Sequence, residues 1–144
     1  MRRTALLLGV LAAAVAASSA LAAPRGSGPT SVLDGRWKSS VTVDALLRTD
    51  EVSPNHVQQL YGPWTAHFSA GRFEVHNERT GGGGHGTFTV TGNLVRFVFA
   101  NGVALKPGST AVCTASVFRD RLTFTKLPGR QCLAWEAAVW TKVG

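Results

Sequence analysis

The residues of this chain that could do chemistry are four histidines, eight acids and two cysteines, and their spacing decides which reactions are open. His67 and His76 fall on neighbouring extended segments with Glu74 and Glu78 on the same face. Imidazole with carboxylate is a donor set that suits zinc. Strand pairing, however, sets His67 beside Glu74 and His76 beside Thr65, so the two imidazoles lie diagonally. A solvated polar face is the simpler reading. None of the histidines, His56 and His85 included, falls on an inward position from which it could hold a haem iron. Serine, histidine and acid occur together without a nucleophile elbow, and so few acids are hard to pair at one site. Gly81-Gly82-Gly83-Gly84-His85-Gly86 looks like a phosphate cradle, but a cradle needs a helix start after it, and here a strand pattern follows. A flexible connection is expected there. The sequence therefore offers no catalytic residue, no metal site and no cofactor, and the expectation is a protein that is not an enzyme.

Cys113 and Cys132 lack the C-x-x-C spacing of a redox or metal pair. Their reading depends on compartment. Met1-Arg2-Arg3, an apolar run over residues 5–17, and Ser18-Ser19-Ala20-Leu21-Ala22 together have the form of a secretory signal peptide cleaved after Ala22. The run is shorter than the roughly 20 residues a spanning helix needs, so a stable membrane anchor is not expected. In an exported chain an even pair of cysteines reads as one disulfide, Cys113–Cys132. Residues 1–22 are thus expected to be a leader, 23–31 a disordered tail rich in Pro, Gly and Ser, and 32–144 one domain. The formal charge of +7 falls to +5 when Arg2 and Arg3 leave with the leader. The remaining basic residues are spread along the sequence. That excludes the basic stripe of a nucleic-acid binder and leaves solubility or mild attraction to anionic cell-surface polymer.

The elements that must position these residues are mostly strands. An opening strand over 33–43 contains Gly35-Arg36-Trp37. A helical turn capped by Asp44 follows, then a helix over 53–62 with Ser53 as cap, Pro54 at its first position and Gly62 as its stop. Val57, Leu60 and Tyr61 share one face of that helix, which predicts a lid over an apolar mouth. Three hairpins come next, turning at Ala70-Gly71, Gly92-Asn93 and Arg119-Asp120, and a last strand runs over 135–143. Pairing across the turns sets Phe68 against Phe73, Ala66 against Val75, Phe88 against Phe97, Val90 against Val95, Val117 against Leu122 and Ala115 against Phe124. Each turn separately yields an apolar face opposite a polar one, which a one-residue slip would invert. The prediction is an all-β, eight-stranded antiparallel up-and-down barrel with a short helical insert after the first strand; an open sandwich is the alternative.

Gly35-Arg36-Trp37 resembles the Gly-x-Trp of lipocalins and the wider calycin group. The layout also resembles small secreted actinobacterial lipocalin-like domains, through Gly71-Arg72-Phe73, Leu122-Thr123-Phe124 and Trp140-Thr141-Lys142-Val143. The resemblance implies barrel closure by Gly35, Trp37 and Lys142, the last in a position where the group favours arginine, and it implies small-ligand binding inside the barrel. The interior residues open to that role are Trp37, Trp64, Phe68, Phe73, Phe88, Phe97 and Phe124, with Val57 and Tyr61 in the lid. An eight-stranded barrel is just wide enough to be filled by its own side chains or to hold one small apolar or amphiphilic molecule, and both outcomes stay open. A protein partner is the alternative: small bacterial metalloprotease inhibitors have a similar barrel and act through an N-terminal segment, here residues 23–31. A small enzyme of unknown class is a weaker alternative. A monomer is expected.

Overall fold

In a computed structural model, residues 30–144 are described; the expected leader, its cleavage site and almost all of the expected tail lie outside the described residues. Three two-residue turns set the architecture. Ala70 and Gly71 both take positive φ (50° and 75°), and Arg119 (55°) and Gly92 (63°) do the same in the other two turns. Turns of this hand match the twist of the strands they join. They connect β2 (Gly62–Ser69) to β3 (Arg72–Asn77), β4 (Gly83–Thr91) to β5 (Leu94–Asn101) and β6 (Thr110–Phe118) to β7 (Arg121–Lys126). Every cross-strand pair expected from the sequence is present, from Phe68 with Phe73 to Ala115 with Phe124. β1 (Gly35–Val41) and β8 (Val139–Val143) then pair with each other and with β2 and β7, so the eight strands close in sequence order into an antiparallel up-and-down barrel.

One end of the barrel carries the three tight turns, the start of β1 and the end of β8. The other end carries the long connections, and it is the mouth. Two short helices lie there, α1 (Val43–Arg48) and α2 (Pro54–Leu60). The cap of α1 is Thr42, whose Oγ1 accepts from the Ala45 N–H at 3.1 Å, so Asp44 sits in the first turn instead of capping it. Ser53 stands at the N-cap of α2 and Pro54 in its first turn as expected, although the Ser53 side chain makes no capping hydrogen bond. Gly62 follows its C-cap Tyr61 with φ +116° and is already the first residue of β2, where a Cβ would approach Arg79 Cβ to 3.1 Å.

Two boundaries differ from the sequence reading by more than two residues, each for a packing reason. β4 begins at Gly83, so Gly83–Gly86 belongs to a strand and is not a flexible connection. A Cβ on Gly83 would lie 2.1 Å from the Val75 carbonyl oxygen, and one on Gly86 1.9 Å from that of Val98. The backbone of the flanking strands fills the space a side chain would need, and the ladder shifts register between His85 and Gly86. The second difference is at the end. Residues 133–137 form a 3-10 segment (Leu133–Ala137), and only Val139–Val143 is strand. The chain enters this segment from Cys132, bonded to Cys113 of β6 with Cα atoms 5.1 Å apart, and Leu133 takes φ +57°. The disulfide holds the chain against the barrel wall and the positive φ turns it inward, which carries Trp135 into the interior.

Candidate functional site

Trp37 closes the barrel at its tight-turn end. It is fully buried, and its indole N–H donates to the Leu33 carbonyl at 2.7 Å, which seats Leu33 beneath it. β1 and β8 set Trp37 opposite Lys142, and the ammonium lies 5.4 Å from the indole ring. Gly35 is a glycine for the same reason: its φ is +128°, and a Cβ there would touch Lys142 Cε at 3.0 Å. The structure thus brings Gly35, Trp37 and Lys142 together as one closure.

Above this floor the barrel is filled. Phe68, Phe73, Phe88 and Phe124 form a cluster centred on Phe97, on which Trp135 stacks at 4.5 Å with planes 12° apart. Trp135 also reaches Phe124 at 5.2 Å and Phe68 and Phe73 at 5.9 Å. Edge and offset contacts of this kind add roughly 0.5–1.5 kcal/mol per pair beyond burial. These five phenylalanines, expected from the sequence to be inward, are inward and packed on one another. Trp135, read from the sequence as part of a strand, is the plug that completes them.

On the mouth side of Trp135 the packing stops. A cavity of about 170 Å³ remains, open to solvent on one side and with a mainly apolar lining. Its walls are Val41 of β1, Trp64 of β2, Val75 of β3 and Phe99 of β5, with Gly83 and Gly84 of β4. Trp135 and Trp140 lie at its inner side, the 102–105 loop and residues 133–134 flank it, and Leu60 of α2 covers it. Of the ligand-binding residues expected from the sequence, Trp64 and no other lines this cavity. Val57 is buried and Tyr61 half-buried beneath the lid, but the neighbouring Leu60 and His56 form the wall.

The lid is pinned from below by Asn77, which is buried without any exposure. Its Nδ2 donates to the carbonyls of Gln59, Leu60 and Tyr61 at 3.1–3.4 Å, while its Oδ1 accepts from the N–H groups of Arg79 and Thr80. Arg79 donates to the Gln58 and Tyr61 carbonyls and lies 3.7 Å over the Tyr61 ring. Trp64 donates its indole N–H to Leu60 at 2.6 Å. The carbonyls that a helix end leaves unsatisfied are thereby all engaged.

Polar groups at the cavity are few. Glu51 reaches it with a side chain only 7% exposed, and both carboxylate oxygens accept from the Cys132 N–H, at 3.0 and 3.1 Å. Lys126 bridges Asp50 at 2.5 Å and Glu51 at 3.5 Å. Burial, and next the charge of Glu51, push the nearby Glu136 carboxyl above its usual range; the hydrogen bond from Lys126 holds Asp50 below its own. His56 Nδ1 lies 3.3 Å from Ser53 Oγ. A serine and a histidine in contact would need an orienting carboxylate to act as a nucleophile pair, and the nearest in sequence, Glu51, is committed to Cys132. Trp140 is the remaining polar feature: its indole N–H is buried and has no acceptor among the described residues.

His67, Glu74 and His85 lie side by side on β2, β3 and β4, exposed on the outside of the barrel, with His76 beside Thr65. No group of three or more His, Cys, Asp or Glu among the described residues is arranged to hold a metal ion. Nor is any described helix long and apolar enough to cross a membrane. The cavity-wall residues that sequence reasoning missed include Glu51, Phe99, Trp135, Trp140 and the 102–105 loop. The mixture of apolar residues on both faces of 135–140 was the one signal that this stretch is not a simple strand. No protein-family model matches the chain, and neither does any curated protein.

Proposed function

We propose that this chain is an exported, lipocalin-like, non-catalytic barrel that holds one small apolar or amphiphilic molecule in its mouth. The observation that carries the reading is the unfilled compartment between the Trp135 plug and the lid, in a barrel whose other half is packed with aromatic rings. Ligand sites are concave and mostly apolar, with a few polar groups that fix orientation. At about 170 Å³ the space is close to the roughly 150 Å³ of an apolar cavity that takes benzene, and smaller than the roughly 300–1,000 Å³ of sites for drug-sized molecules. The fitting class is a single ring or a short branched chain, or the apolar end of a longer molecule whose polar end leaves through the open side. Binding is favoured over turnover because Glu51 and His56, the ionisable groups at the wall, are held by Cys132 and Ser53.

The test is thermal melting with a panel of phenols, short-chain alcohols and short fatty acids. A ligand at about 100 times its Kd stabilises the native state by about 2.7 kcal/mol and raises Tm accordingly. Ala134→Phe, which fills the cavity from its wall, is expected to abolish that rise while keeping the parent Tm or exceeding it. A panel that moves the Tm of neither protein overturns the proposal.

A further inference from the structure

We propose that the tight-turn end of the barrel, opposite the ligand mouth, docks on an anionic phospholipid surface. The charge of the chain is sorted by the fold. Arg36, Arg72, Arg96, Arg119, Arg121 and Lys142 all lie at or within three residues of that end and are exposed, against the acids Asp34, Glu74 and Asp120. The mouth end balances Arg48, Arg79, Lys106, Lys126 and Arg130 with Asp44, Asp50, Glu51, Glu78 and Glu136. The net positive charge of the domain therefore collects at one end, with Lys38 alone between. Among the described residues every ion pair involves Lys126, so none of the six cations of the tight-turn end is held in an ion pair, and they outnumber the three acids there.

These cations come from β1, β3, β5, the β6–β7 turn, β7 and β8, and so encircle the end face. Among these cations, paired with Arg121 on the outer side of the wall, stands Phe118, the most exposed large apolar residue described, at 69%, on the last position of β6. The Arg119 guanidinium lies 5.3 Å from its ring. Val32 is 59% exposed just before β1 begins, at the same end. Cations around a protruding aromatic suit the boundary between headgroups and acyl chains, where the ring enters and the charges meet phosphates. A nucleic acid fits less well, because the cations encircle an end made of hairpin turns, and a single aromatic at a turn tip gives successive bases nothing to stack on. Docking in this way leaves the mouth facing away from the surface.

The test is sedimentation of the purified protein with vesicles of mixed phosphatidylglycerol and phosphatidylcholine, and with vesicles of phosphatidylcholine alone. Binding is expected to the mixed vesicles only, and to disappear as salt is raised toward about 1 M. Phe118→Ser is expected to weaken partitioning about tenfold, and Arg119→Gln with Arg121→Gln about fivefold per charge. All three positions are exposed, and unchanged melting confirms that the variants fold. The mouth-end pair Leu47→Ser and Arg48→Gln, also exposed, serves as the control and should bind as the parent does. The proposal is overturned if mixed vesicles are not bound, or if the mouth-end pair weakens binding as much as the tight-turn-end variants. It is equally overturned if duplex DNA is bound in preference to the vesicles and Phe118→Ser leaves binding unchanged.

Discussion

Lys142 crosses the face of Trp37 at 5.4 Å, and Gly35 leaves the space for it to do so. Gly35 and Trp37 of β1 and Lys142, near the other end of the chain, therefore act as one closure, and their types were legible early because Gly, Trp and a cation each have a separate physical duty there. Trp37→Ala removes a fully buried indole together with its hydrogen bond to Leu33. It is expected to cost about 3–5 kcal/mol in chemical denaturation; a variant that unfolds with the parent would mean that the barrel does not depend on this closure. Glu136 supports a prediction of opposite sign. Its pKa is raised, chiefly by burial and then by Glu51. The folded state therefore binds the proton more tightly than the unfolded state, and stability contributed by Glu136 falls as pH climbs from its ordinary 4.5 through the folded value. Asp50 acts the other way: its contribution is present above its ordinary 3.8 and lost as pH falls. Glu136→Gln should flatten the decline above pH 4.5, seen as a higher urea midpoint than the parent near neutrality. Equal midpoints for the two proteins across that range would mean that Glu136 is not destabilised by its surroundings.

At the scale of elements, the hairpins were readable because side chains alternate with period two and pairing across each turn sets apolar residues opposite one another, even though Ala70 and Arg119 take a positive φ that their types disfavour. The start of β4 was not readable for a related reason. Gly83, Gly84 and Gly86 have no side chains to alternate, and what demands glycine there is the backbone of β3 and β5, which local sequence does not contain. The 3-10 segment escaped reading because its position comes from tertiary structure: a disulfide holds Cys132 on β6 and Trp135 fills a space made by other strands. Ala, Val and Trp on both faces of 135–140 fit a strand and a plug equally well. The disulfide should therefore matter beyond its chain entropy. Replacing Cys113 and Cys132 together by serine is expected to cost about 3 kcal/mol and to weaken the near-UV circular dichroism of the Phe97–Trp135 stack. Loss of stability with an unchanged aromatic spectrum would show that the bond does not position the plug.

For the molecule as a whole, the sequence left a self-filled barrel and a ligand-holding barrel as alternatives, and the structure packs one part of the interior and leaves another part open. Aromatic rings fill the side toward Trp37, while the mouth side keeps about 170 Å³ open beneath α2. The inward phenylalanines were legible; the cavity was not, because its walls include loop residues and a plug that only the closed barrel brings together. Charge behaves alike. Cations at 36, 72, 96, 119, 121 and 142 look scattered along the chain, and up-and-down topology returns all of them to one end. The open compartment is tested most directly by a crystal held under xenon, a gas that apolar cavities bind. Xenon is expected between Leu60, Val75, Phe99, Leu105 and Trp135, with none among Phe68, Phe88, Phe97 and Phe124. A crystal with no xenon at the mouth site, or with xenon lodged in the phenylalanine cluster, would contradict it.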